Sequence, residues 1–194
     1  MTTSDRSGRR APSGTRPPPG TRPVPRAHPA TESGSGVSRP GERPRDALGR
    51  PLPHGETGVP PLASSAPLPP AAALAEAQRL LDAGLPFQAH EVLEAVWKSP
   101  ETDPGERGLW RGLAQLAVGV THLARGNVKG GVAVLRRGAA NLIPYADRPP
   151  HGVAVPGLLA WVDLRIADIG RAHPGLPCIT ARTAPADGGP RLVG

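Results

Sequence analysis

The sequence predicts an all-α fold: a compact bundle of about five helices with an antiparallel helical hairpin, a long disordered N-terminal arm and a short irregular C-terminal tail. Three observations predict it. Residues 1–70 hold 16 of the 27 prolines and no aromatic, and only one residue in five there is apolar, against almost half beyond residue 70. The first segment cannot bury enough apolar surface to fold alone, whereas the second has an ordinary core-forming composition. From Pro70 onward, apolar residues recur at helical spacing, with proline at helix starts and glycine at helix ends. No alternating strand pattern interrupts them.

The elements follow in order. Residues 1–40 read as a disordered Pro/Gly/Arg-rich arm that limited proteolysis should trim without unfolding the rest. Residues 41–70 read as an extended linker or a surface strap, because Arg45-Asp46-Ala47-Leu48-Gly49-Arg50-Pro51-Leu52-Pro53 carries small apolar residues around a Gly-centred turn. The helical domain is expected at 71–170. Its first helix runs from Pro70 to Ala83, with Leu74, Ala77 and Leu81 on one face and Gly84 as its stop. The second opens at Pro86 and ends at Ser99-Pro100. The third has a capping box in Asp103, Pro104 and Glu106, and runs to Arg125. Gly126-Asn127 turns the chain, Asn127 caps a fourth helix over 128–143, and Pro144 stops it, which makes helices three and four an antiparallel hairpin. Gly108, Gly112 and Gly119 on helix three, with Gly131 and Gly138 on helix four, permit close packing. The fifth helix runs from about Pro156 to Ile169. The tail, 171–194, is irregular, with one β-like patch at Cys178-Ile179-Thr180. A tetratricopeptide solenoid is disfavoured, because no second copy of the hairpin occurs at the required period.

Composition excludes several functions. A single cysteine, Cys178, rules out an intrachain disulfide framework and a Cys-based zinc site. No apolar run is long enough for a spanning helix, and the N-terminus lacks the apolar region of a secretory signal, so a cytoplasmic, membrane-free protein is expected. The formal net charge of +7 resides mostly in the tails, and 21 of the 23 basic residues are arginine. Those arginines are spread singly among prolines without aromatics for stacking, so nucleic-acid binding is not expected. The sequence names no partner; another protein or a second copy of the chain are the candidates.

Helix two carries the most informative polar face. Ala89, Val92, Leu93 and Val96 share one arc; Phe87, His90, Glu91, Glu94, Trp97 and Lys98 share the other. A solvated face would not bracket its polar residues with Phe87 and Trp97, and a buried one would need partners for His90 and Glu94. On helix three, Arg111, Gln115 and His122 form a second polar stripe. The simplest packing sets the two stripes together, with Gln115 or His122 bonded to the His90/Glu94 pair. The candidate polar site is therefore His90, Glu91, Glu94, Trp97, Arg111, Gln115 and His122. Three readings stay open: a buried His/Glu/Gln network that fixes helix packing, which is favoured; a metal site for zinc or iron(II); or an acid/base pair serving a small substrate. The last two make a small metal- or ligand-binding enzyme using His90, Glu91, Glu94 and His122 the alternative function. The residues match neither the His-Glu-x-x-His zinc helix nor the Glu-x-x-His of di-iron bundles. No catalytic residue or cofactor can be assigned. His28, His54, His151 and His173 carry no spacing signal.

These residues also carry a family resemblance. Phe87-Gln88-Ala89-His90-Glu91-Val92-Leu93-Glu94-Ala95-Val96-Trp97 resembles the signature helix of the bacterial and archaeal domain-of-unknown-function family 309. Trp110 to Val118, then His122-Leu123, then Arg125-Gly126-Asn127 with Gly131, resemble its later blocks in order. Arg45 to Leu52 resembles the extension of actinobacterial members. The resemblance covers about 71–170 and implies a small all-α domain without an established activity. It maps the family's His-Glu-x-x-Glu-x-x-Trp onto His90, Glu91, Glu94 and Trp97, and its Gln and His onto Gln115 and His122. Because no complete catalytic constellation is present in the sequence, the chain reads as a structural or interaction module.

Overall fold

Helix boundaries in the computed structural model fall where proline and glycine place them. The structure describes residues 43–172 and 189–194, all within one compact unit, Gly36–Gly194. The expectations for the arm at 1–40 and for the patch at Cys178 to Thr180 lie outside the described residues.

Among the described residues, five α-helices occur in the order α1 (Pro70–Asp82), α2 (Pro86–Lys98), α3 (Arg107–Ala124), α4 (Val128–Leu142) and α5 (Val155–Ala172). Short 3₁₀ turns cover Pro104–Glu106, Ile143–Tyr145 and Pro150–Gly152. Among the described residues there is no β-strand, only two isolated bridges, Arg45 to Pro51 and Val153 to Val193. Pro70 and Pro86 open α1 and α2, where a missing N–H costs nothing. Gly84 and Gly126, at φ +72° and +79°, close α1 and α3 in the left-handed conformation. The Asn127 side chain caps α4 by accepting from the Gly130 N–H at 2.9 Å.

The start of α3 departs from the expected capping box. Asp103 does cap, accepting from the Gly105 N–H at 2.7 Å, but the turn it opens is 3₁₀ and α3 proper begins at Arg107. The Glu106 carboxylate does not return to Asp103. It accepts from Trp110 Nε1 at 3.4 Å and sits 2.7 Å from His151 Nε2. A residue 45 positions away thus outcompetes the local backbone donor.

α3 is the central helix, packed between α2 and α4. Trp110, Leu109, Leu113 and Leu116 are fully buried on it, against Leu93 of α2 and Leu135 and Leu142 of α4 among others in one continuous core. The α3–α4 seam is built through glycine. A Cβ on Gly138 would lie 3.1 Å from the Gly112 carbonyl oxygen, and one on Gly112 would lie 3.1 Å from the Gly138 carbonyl oxygen. The two backbones therefore touch, with Leu142 and Leu116 filling the flanks.

The C-terminal residues complete this core. Leu192 is buried, its N–H donates to Gln78 Oε1 at 2.8 Å, and its carbonyl accepts from the Ala154 N–H at 2.9 Å. The last residues thereby pin α1 to the start of α5, an ordered role that their Pro/Gly-rich neighbourhood did not reveal.

Candidate functional site

The polar arc of α2 splits into two environments. His90 faces the α3 side, four-fifths buried, with its Nδ1 lacking any hydrogen-bond partner. Burial holds its imidazole below the usual histidine range; the neighbouring Glu94 charge and the Ala114 backbone pull it upward, and Lys98 adds to the depression. Glu94 lies 3.8 Å from His90 Nε2 and 2.8 Å from Lys98 Nζ, so its stronger ion pair points along α2 and outward. Trp97 is partly buried, with the Arg111 guanidinium 5.6 Å and the Lys98 ammonium 6.0 Å from its ring centre. Arg111 and Trp97 are thus one pair of sequence candidates that α2 and α3 bring together.

The expected link from His90 and Glu94 to Gln115 or His122 is not made. Gln115 accepts from Asn141 Nδ2 of α4 at 2.8 Å. The His122 Nδ1 pairs with Asn127 Nδ2 at 3.0 Å, inside the α3–α4 turn. The geometry explains this. His90 meets α3 at Ala114, and His122 lies eight residues further on, roughly 12 Å along the axis at 1.5 Å per residue. The helical wheel placed Gln115 and His122 on one stripe correctly, but that stripe turns toward α4 and its turn. Among the described residues, no three His, Cys, Asp or Glu side chains converge as a metal-ligand set.

The outward part of the α2 arc has a different neighbour. Residues 43–68 run across it as a strap, leaving a groove of about 750 Å³ between them. Phe87, Gln88, Glu91, Glu94 and Lys98 of α2, with Glu76 of α1, form its floor; Arg45, Val59, Leu62 and Ser64 are among its other walls. The strap is fixed at its two ends. Gln88 Nε2 donates to the Pro60 carbonyl at 2.6 Å. Arg125, at the end of α3, donates through Nε to the Leu48 carbonyl at 2.9 Å and through Nη2 to the same oxygen. Phe87 lies against Gly49, and the guanidinium carbons of Arg45 and Arg125 stand 5.8 and 5.9 Å from its ring centre. Leu62 and Leu68 pack on the core.

Sequence reasoning missed Gln88 and Arg125 as anchors, because each acts on a carbonyl at least 28 residues away. It also missed the pairing of Glu106, read there as part of a helix cap, with His151. His151 sits at φ +57°, rare for a residue with a side chain, with its ring 5.7 Å from that of buried Trp110. Beside it, Tyr145 donates to the Gly105 carbonyl at 2.7 Å. The two contacts clasp the α4–α5 connection to the first turn of α3. No local pattern in the sequence marks the pairing of Glu106 with His151, which joins residues 45 positions apart.

The model of the family described as Domain of unknown function (DUF309) matches residues 74–134. The match runs from α1 into α4, and the strap, the α4–α5 clasp and α5 lie outside it. No curated protein and no solved structure matches the chain. No described helix is long and apolar enough to cross a membrane.

Proposed function

We propose that this chain is a protein-interaction module whose working surface is the outer face of α2, the end of α3 and the groove beneath residues 43–68. One observation carries the reading: that surface already holds a non-helical, proline-containing segment, and holds it by the backbone. Gln88 and Arg125 donate to the Pro60 and Leu48 carbonyls. Side-chain donors aimed at carbonyls, with an aromatic seat between, let a surface grip an irregular proline-containing segment without a sheet edge. The segment held is rich in proline, with Pro51, Pro53, Pro60 and Pro61 in its course, so it loses less conformational entropy on docking than a flexible chain would. The partner class is therefore a non-helical, proline-containing peptide segment of another protein.

The test is a panel of proline-containing peptides titrated against the full-length chain carrying Gly49→Val, which unseats the strap. Binding that is lost when Gln88→Ala and Arg125→Ala are added supports the module. Equal binding, or none, by both versions of the chain removes this surface as a docking site.

A further inference from the structure

The strap is a small folded unit in its own right. Asp46 Oδ1 accepts from the N–H groups of Leu48 at 3.0 Å and Arg50 at 2.8 Å, and Oδ2 takes the Arg50 Nε–H at 2.6 Å. The Gly49 N–H returns to the Asp46 carbonyl, the Asp46 N–H donates to the Arg50 carbonyl, and Arg45 Nη1 donates to the Gly49 carbonyl, each at 2.9 Å. The Leu52 N–H then closes on the Pro44 carbonyl at 2.7 Å. Burial would raise the Asp46 pKa, but the hydrogen bonds from Arg50 and Leu48 outweigh it and hold the carboxyl below its ordinary value. None of these bonds uses the helices. Any segment with this sequence can make the same turn before it meets the domain.

What the helices add is one selective contact. Gly49 is buried at φ +76°, and a Cβ there would come within 2.5 Å of three Phe87 ring carbons. Two separate requirements, the left-handed conformation and the closed space, therefore select glycine at that position.

We propose that the Phe87/Arg125 seat is a recognition site for an Asp-x-x-Gly-Arg turn, filled in cis by Asp46–Arg50 and open to the same turn on a partner protein, which displaces the strap. This rests on the docking reading above and names the partner's motif. The turn is preformed, so a partner pays little to adopt it. The strap is tethered, so it competes at an effective concentration of the order of millimolar. The resident turn thus keeps the seat covered until a partner offers the same turn with further contacts in the adjoining groove.

The chain has a single phenylalanine, so full-length protein made with 4-fluorophenylalanine gives one ¹⁹F resonance reporting on the seat. Gly49→Val should move that resonance from its strap-covered position. A synthetic peptide of residues 43–62, added in trans to this variant, should restore it, and the same peptide with alanine at the Gly49 position should bind about tenfold more weakly or worse. Arg125→Ala should weaken the restoring peptide without requiring any change in the strap. If the resonance is unmoved by Gly49→Val, or if both peptides restore it equally, the glycine-turn seat is wrong. A panel peptide that binds the Gly49→Val chain without restoring the Phe87 resonance would overturn this proposal while leaving the docking surface standing. No binding by any peptide would overturn both.

Discussion

The α3–α4 seam and the strap seat both depend on glycine, for different physical reasons. At the seam, Gly112 and Gly138 are helical and bring two backbones to van der Waals contact. The requirement there is space, and it is built into the core. At the strap, Gly49 must be left-handed and must also leave room for a single ring. That requirement sits at the rim of the domain, on a segment whose hydrogen bonds are largely its own. The same residue type therefore holds the fold together in one place and governs an exchangeable contact in the other. A glycine replaced in the first should cost global stability; one replaced in the second should change what the surface holds.

The largest expected effect is Gly138→Val. Its Cβ meets the Gly112 carbonyl oxygen and the Leu116 backbone nitrogen at 3.1 and 3.2 Å, neither of which can rotate away. Overpacking of this kind should lower the unfolding free energy by about 3 kcal/mol in urea titration. A loss near zero would mean the helices can part freely, and the contrast between seam and strap would collapse.

Next comes Gly49→Val, for which the same titration should register no more than about 1 kcal/mol, since the strap can leave and the helices remain packed. A loss as large as that of Gly138→Val would make the strap part of the core.

The polar stripe of α3 sharpens the comparison further. A double-mutant cycle between Gln115→Ala and Asn141→Ala should show coupling of about 1 kcal/mol, as expected for one direct hydrogen bond. A cycle between Glu94→Gln and His122→Leu should be additive within about 0.5 kcal/mol. Coupling in the second pair and none in the first would reverse the assignment of that stripe to α4.

The smallest effect concerns His90. Its pKa is depressed in the folded chain, so the unfolded chain binds the extra proton first. Stability is then full above the ordinary histidine pKa and declines as pH falls below it toward the folded value. Thermal melts between about pH 7.5 and pH 5 should show this decline, and His90→Leu should flatten it. An unchanged slope in the variant would show that His90 is not held neutral by burial.

Much of this was legible in the sequence because the signals were local. Pro70, Pro86, Gly84, Gly126 and Asn127 act on backbone groups within a turn of themselves, and each sits where it was expected. The separation of apolar and polar arcs on α2 was equally local, and it pointed to the helix whose outer face lines the groove. Glu106 shows the limit. Its position three residues after Asp103 predicted a cap, but His151 and Trp110 offered donors that the local pattern does not contain.

By itself, then, the sequence determined the helices, their ends other than the start of α3, the hairpin and the unusual face of α2, since helix formation and termination are mostly settled by side chains within about four residues of one another. Only the tertiary structure decided which stripe met which. It sent Gln115 to Asn141 and His122 to Asn127, left His90 Nδ1 unpaired, returned Leu192 to the core, and laid the strap across Phe87. Each of those outcomes depends on axial offsets and rotations between helices. Such offsets are set by how glycine and leucine pack across the seams, and no spacing along a single helix records them.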